Sequence, residues 1–160
     1  MDRTREAGGG GRLGLAEVEA LALAAHEGQT DKAGRPYREH LRAVAEGVRA
    51  RGGDPEQIAA AWLHDAVEDD RLTWRWLEEA ALGTRTREIV RALTRRAGEE
   101  PEAYARRILA TPGALLVKEA DLAHNADPDR LAVLDPATRE RLRAKYARMR
   151  ALLGLAAPGR

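Results

Sequence analysis

The apolar residues of this chain recur at steps of three and four between proline and glycine stops. No segment alternates with period two long enough to make a strand. That pattern restricts the chain to packed helices. A first helix is expected from about Leu15 to Glu27, followed by the loop Gly28 to Arg35. Pro36 opens a second helix whose Tyr37, His40, Leu41, Val44 and Val48 fall on one face, and Gly52-Gly53 ends it. Asp54-Pro55-Glu56-Gln57 is a strong start signal: an acid to cap, proline at the first helical position and glutamine at the third. The helix that follows is expected to carry Ile58 through Val67. Further helices are expected at Trp74 to Ala81, Arg87 to Thr94, Pro101 to before Pro112, Ala114 to about Ala126, and from Asp135-Pro136 to near Gly154. The reading is an all-α single domain of about seven or eight helices over residues 13–155. It is preceded by a flexible Gly- and Arg-rich segment at 1–12.

Composition narrows the function classes. The chain has 160 residues and no cysteine, which excludes a disulfide scaffold and thiolate metal sites. Its 27 basic and 26 acidic residues nearly cancel, so there is no electrostatic case for nucleic acid or a membrane as partner. No apolar run approaches the ~20 residues that span a bilayer, and a cytoplasmic setting is the expectation. Arginine dominates the basic residues; Lys32, Lys118 and Lys145 are the three lysines. Most of the arginines are assigned to solvated helix faces.

Three places hold polar residues where a helical core would not want them. The first is His40, on an apolar face. The second is Leu63-His64-Asp65-Ala66-Val67-Glu68-Asp69. The third is Val117-Lys118-Glu119-Ala120-Asp121-Leu122-Ala123-His124-Asn125. Buried carboxylates are costly unless paired or bound to a metal. One arrangement explains all three. Neighbouring His64 and Asp65 reach an ion beside their helix, and His40 and Asp121 complete a set of two imidazoles and two carboxylates. Glu68 and Asp69 sit one turn beyond His64 and Asp65, next to the ion, where a general acid or base belongs. The plainer alternative makes His40 a hydrogen-bonded core histidine, Asp121 a partner of Lys118, and Glu68 to Asp70 a solvated helix end. His26 and His124 are read as structural, and Trp62, Trp74 and Trp76 as core or core-edge residues.

His40, His64-Asp65 and Asp121 together resemble the H…HD…D pattern of the HD-domain metal-dependent phosphohydrolases. The local strings are more specific. Ala25-His26-Glu27-Gly28-Gln29, Lys32-Ala33-Gly34, Pro36-Tyr37 and His40 resemble the first block of the (p)ppGpp hydrolase domain of Rel/Spo-type alarmone enzymes. Leu63 to Asp70 resembles its HDxxED block, and Val117 to Asn125 its VKxADxxHN block. The resemblance implies a helical fold around one divalent metal ion, most often manganese, held by His40, His64, Asp65 and Asp121. It further implies Glu68 and Asp69 as the catalytic acidic pair, and Lys32 and Asn125 as nucleotide contacts. Arg35, in the loop leading to His40, is a further candidate for phosphate. The substrate expected is a small nucleotide or another phosphate ester. Two alternatives stand beside (p)ppGpp: a phosphatase for a different small nucleotide, and a nucleotide-sensing protein of slow turnover. No synthetase or regulatory domain follows, so the chain reads as a free-standing small hydrolase. Three positions depart from the alarmone pattern, one of them Leu41, which follows His40 where those enzymes typically have proline. Asp31 stands where those enzymes often carry arginine, and Leu122 replaces an arginine of the third block. Asp31 is expected to repel a polyphosphate, so that Asp31→Arg improves alarmone hydrolysis.

Overall fold

The computed structural model describes residues 11–156, which form nine helices without a strand. Their order is α1 (Leu15–Ala25), α2 (Tyr37–Ala50), α3 (Pro55–Leu63), α4 (Trp74–Glu79), α5 (Thr84–Leu93), α6 (Pro101–Ala110), α7 (Ala114–Asn125), α8 (Pro128–Ala132) and α9 (Pro136–Leu152). The expected flexible segment falls mostly outside the described residues. Of its last two members, Arg12 sits 3.7 Å from Glu56. The short α8 escaped the sequence reading, although Asp127-Pro128 repeats the start signal seen at Asp54-Pro55 and Asp135-Pro136. The Asp127 side chain accepts from the Asp129 N–H there.

α3 is the axis of the fold. Every residue from Gln57 to Leu63 is buried, as expected of a helix apolar on all sides. It packs against α1, α2, α5 and α7. Its start is fixed by a reciprocal cap: Asp54 Oδ1 accepts from the Gln57 N–H at 2.9 Å, and Gln57 Oε1 accepts from the Asp54 N–H at 2.9 Å. Such a cap is worth about 1 kcal/mol. Gln57 Nε2 also donates to the Gly113 carbonyl at 3.1 Å, tying the start of α3 to the start of α7. Gly113 has φ 86°, and a Cβ there would lie 3.0–3.3 Å from Arg85, Ile89 and Gln57, so glycine is required. α2 lays Leu41, Val44, Ala45 and Val48 into the core, and His40 shares that buried face.

The third helix is shorter than its sequence suggests. It ends at Leu63, and residues 64–70 run on as turns. His64 Nδ1 lies 2.6 Å from the Ala61 carbonyl, the acceptor that the Asp65 N–H would use in a continuing helix. The chain then tightens and loosens, from an Ala66 N–H to Leu63 bond to an Arg71 N–H to Ala66 bond, through Asp70 at φ 56°. His64 and Asp65 there meet His40 of α2 and Asp121 of α7, while Glu68 reaches Arg95 after α5 and Asp69 reaches Gln29 before α2. Of the three tryptophans, Trp62 is buried, whereas Trp74 is 42% exposed and lies outside the core.

Candidate metal centre

His40 from α2, His64 and Asp65 from the turn after α3, and Asp121 from α7 converge. One ligand atom from each lies within 4.8 Å of all the others. His40 Nε2 is 3.1 Å from Asp121 Oδ1 and 3.5 Å from Asp65 Oδ2. His64 Nε2 is 3.0 Å from Asp65 Oδ2 and 3.3 Å from Asp121 Oδ1. Two imidazoles thus aim the same ring nitrogen at the same two carboxylates. His40, His64 and Asp121 are buried, and Asp65 opens partly to the cavity. This is a borderline-hard donor set of the kind that suits a divalent ion, and its atoms are close enough to share one.

The surrounding contacts hold these atoms in place. The Asp121 carboxylate divides its oxygens. Oδ2 accepts from Lys118 Nζ at 2.9 Å, while Oδ1 faces the histidines and accepts from Asn125 Nδ2 at 3.1 Å. The Lys118 partnership and the metal reading of Asp121 therefore hold together, on different oxygens. Tyr37 donates its hydroxyl to Asp65 Oδ2 at 2.5 Å. Burial and the neighbouring Asp65 push the Tyr37 phenol up, so it stays a donor. Burial opposes ionisation of Asp65, but the His64 charge and hydrogen bonds from His40 and His64 outweigh it and hold the carboxyl low. In His40 and His64 burial is likewise outweighed, by the two carboxylates, and both imidazoles rise. The four groups share protons that a metal would displace.

Glu68 and Asp69 stand beside the four. Burial raises both carboxyls, and the Asp65 charge adds to it. Glu68 accepts from the Arg95 N–H at 2.7 Å, and Asp69 accepts from Gln29 Nε2 at 2.9 Å. Gln29 in turn lies 2.7 Å from His26 Nδ1. Both acids line a cavity of about 630 Å³ with the four converging residues at its floor. Glu68 is exposed and Asp69 half-buried, each held by its one hydrogen bond.

Lys32 and Asn125 line the same cavity. Arg35 does not: its guanidinium pairs with Glu39 at 2.6 Å on the exposed side of the loop. Asp31 is not a free charge either. Its Oδ1 accepts from the N–H groups of Ala33 and Arg35 at 2.9 and 3.0 Å, and its Oδ2 pairs with Arg130 at 2.9 Å. The expected repulsion of a polyphosphate is thereby corrected, because α8 supplies the compensating charge that the local sequence lacks. His124, read as structural from sequence, touches one of the four converging residues. Its Nδ1 lies 2.7 Å from His40 Nδ1, and burial with the nearby Arg130 and His40 lowers it to about 4. Sequence reasoning placed α9 but missed its part in the site: its Arg141, Lys145, Tyr146 and Arg148 line the cavity together with Arg95. Lys145 is pushed down by burial and by Arg95, Lys32 and Lys118, the mark of crowded cations. A solvated helix face and a cavity wall look alike in sequence until the partner surface is known.

The chain matches the HD domain family over residues 19–157 and belongs to it. Within that family it resembles the hydrolase domain of the Rel/Spo-type alarmone enzymes. It is 34% identical over 116 residues to the guanosine-3′,5′-bis(diphosphate) 3′-pyrophosphohydrolase of Haemophilus influenzae, covering 66% of this chain and 17% of that protein. It is 35% identical over 108 residues to the protein of the same name from Aquifex aeolicus, covering 62% and 15%. The bifunctional (p)ppGpp synthase/hydrolase SpoT of Escherichia coli is 31% identical over 122 residues, covering 69% and 17%. The chain thus spans under a fifth of the length of these relatives. Among the described residues no helix is long and apolar enough to cross a membrane.

Proposed function

We propose that the protein is a metal-dependent phosphohydrolase acting on a nucleotide-like phosphate or pyrophosphate ester, in its most specific form a (p)ppGpp 3′-pyrophosphohydrolase. The observation that carries this reading is the meeting of His40, His64, Asp65 and Asp121 at the floor of one cavity, with Glu68 and Asp69 beside them. A divalent ion held there, manganese in this proposal, supplies a Lewis acid for phosphoryl oxygens and a lowered pKa for water. Asp65 and Asp121 neutralise its charge, and His40 and His64 fix its position. Glu68 and Asp69, both held above the ordinary carboxylate range, orient the attacking water and handle the leaving group's proton.

The rim of the cavity supports a substrate with anionic groups at two ends. Lys32, Arg95, Arg141 and Lys145 line it, and none makes an ion pair with a described carboxylate. A phosphate group at the floor and a second at the rim would use both. The volume lies within the range that holds a nucleotide-sized ligand. Lys32 and Asn125 are the proposed nucleotide contacts. Arg35 would join them only by leaving Glu39. A cytoplasmic setting belongs to the same reading.

The test is turnover by manganese-loaded protein of (p)ppGpp, nucleoside monophosphates and simple phosphate esters, with a metal-free control. Release of pyrophosphate from (p)ppGpp well above the other substrates supports the specific form. Preference for another nucleotide keeps the phosphohydrolase and removes the alarmone. Saturable nucleotide binding without turnover, in protein shown to hold manganese, overturns the enzymatic reading in favour of a sensor.

A further inference from the structure

His40 faces the four-residue floor through Nε2 and turns Nδ1 the other way, 2.7 Å from His124 Nδ1. A hydrogen bond between two imidazole nitrogens needs one proton and one lone pair. Arg130 decides which ring has which. Its Nη1 lies 3.1 Å from the same His124 Nδ1, and a guanidinium only donates. His124 Nδ1 is therefore an acceptor, and the proton in the His40–His124 contact belongs to His40. With its proton on Nδ1, a neutral His40 presents a bare lone pair at Nε2, toward Asp65 and Asp121.

We propose that His124 is a positioning residue that fixes the Nδ1–H form of His40 and so keeps His40 Nε2 free to bind a cation. Arg130 sets the direction of the relay. Its Nη1 shares two hydrogens among His124 Nδ1, the His124 carbonyl at 3.2 Å and Asn125 Oδ1 at 3.3 Å, and offers none of the three a lone pair, while its other arm is held by Asp31. The chain Asp31–Arg130–His124–His40 thus ties the 29–35 loop to the metal site, across α8 and α7. The second histidine is fastened differently: its Nδ1 meets the Ala61 backbone carbonyl, a partner no side-chain change removes. Of the two imidazoles, only His40 depends on another side chain for its tautomer. This inference rests on the proposal that His40 is a ligand.

The readout is the dissociation constant for Mn²⁺, measured by electron paramagnetic resonance of the free ion, together with the melting temperature of the metal-free protein. His124→Phe keeps a ring and removes the acceptor. His124→Asn removes the ring and offers an amide oxygen near the place of Nδ1. Loss of a ligand's outer partner costs about 10–100-fold in metal affinity. The expected result is that weakening in His124→Phe and recovery to within a few-fold of wild type in His124→Asn. If packing were the role, the order would reverse. Wild-type affinity in His124→Phe, or equal weakening in both variants with unchanged melting temperatures, overturns the proposal. Wild-type protein that fails to bind Mn²⁺ at all brings down the metal reading with it; binding in wild type that is lost in His40→Ala keeps the metal reading whatever His124 does.

Discussion

The floor of the cavity and its rim carry charge in opposite ways. At the floor each ionisable group has a partner within the protein: Asp121 has Lys118 and two histidines, Asp65 has Tyr37 and the same histidines, and His40 has His124. At the rim Lys32, Arg95, Arg141 and Lys145 make no ion pair among the described residues. The floor is held together by its contacts within the fold itself. The rim is less complete: burial and the like charges of Arg95, Lys32 and Lys118 push the Lys145 ammonium down. A counter-charge brought by the substrate relieves them. Affinity should therefore be set at the rim and chemistry at the floor.

The largest expected effect breaks the floor. Asp65→Ala should lose bound manganese and turnover together, read by elemental analysis and a phosphate-release assay; retained metal with full activity would remove Asp65 from the site. Next come Glu68→Gln and Asp69→Asn, which should keep the metal and lose on the order of 10²-fold in kcat. Full turnover in both would show that the acids are not catalytic. Their raised carboxyls carry a sign for pH. An ionised base is required, so the acid limb of kcat should lie above the ordinary carboxylate range and shift in one of these variants.

The rim gives a smaller and different signature. Lys145→Met should raise KM by roughly tenfold for a substrate phosphorylated at both ends, the worth of one charge-assisted hydrogen bond, with kcat nearly unchanged. A monophosphate should be insensitive to it. Equal effects on both substrates would show that the rim does not read the second phosphate. The smallest effect expected is on Asp31→Ala, which removes the Arg130 pair and two backbone hydrogen bonds. A loss of about 1 kcal/mol in denaturant stability is expected. Burial opposes the Asp31 charge, but Arg130 and the N–H groups of Arg35 and Ala33 more than offset it, so the folded carboxyl lies below its unfolded value. Its contribution is complete above the unfolded carboxyl range and fades as pH falls through the lowered folded one. The difference between Asp31→Ala and wild type should therefore shrink in acid.

The same contrast decides what could be read from sequence. The floor was legible because its residues break a rule: a histidine on the apolar face of α2 and an aspartate inside α7 have no business there without a partner. The helices were legible from their caps, Asp54-Pro55 and Asp135-Pro136 above all. The end of α3 was not, because the His64 ring takes a backbone acceptor, a competition that periodicity does not register. Arg130 and Lys145 were invisible for another reason. In a chain so rich in arginine, a cation on a helix conforms to every local rule. Only the approach of α8 and α9 to the loop at 29–35 gives it a task, and that approach is a property of the packed molecule. Arg35, the rim cation proposed from sequence, was chosen by proximity along the chain, and the structure turns it to Glu39.

The bond from Gln57 to the Gly113 carbonyl gives α3 and α7 a common pivot. Measured from it, the two helices run about 10 Å to His64 and about 12 Å to Asp121 at 1.5 Å per residue. They act as the arms of a caliper whose jaws are the ligand atoms. A caliper clamped at one end converts a small displacement at the pivot into a change of gap at the jaws, and the gap is what distinguishes one ionic radius from another. Gly113, remote from any chemistry, then sets the gauge: a side chain wedged there should lower folding stability, through its positive φ and close neighbours, and at the same time alter which divalent ion the protein prefers.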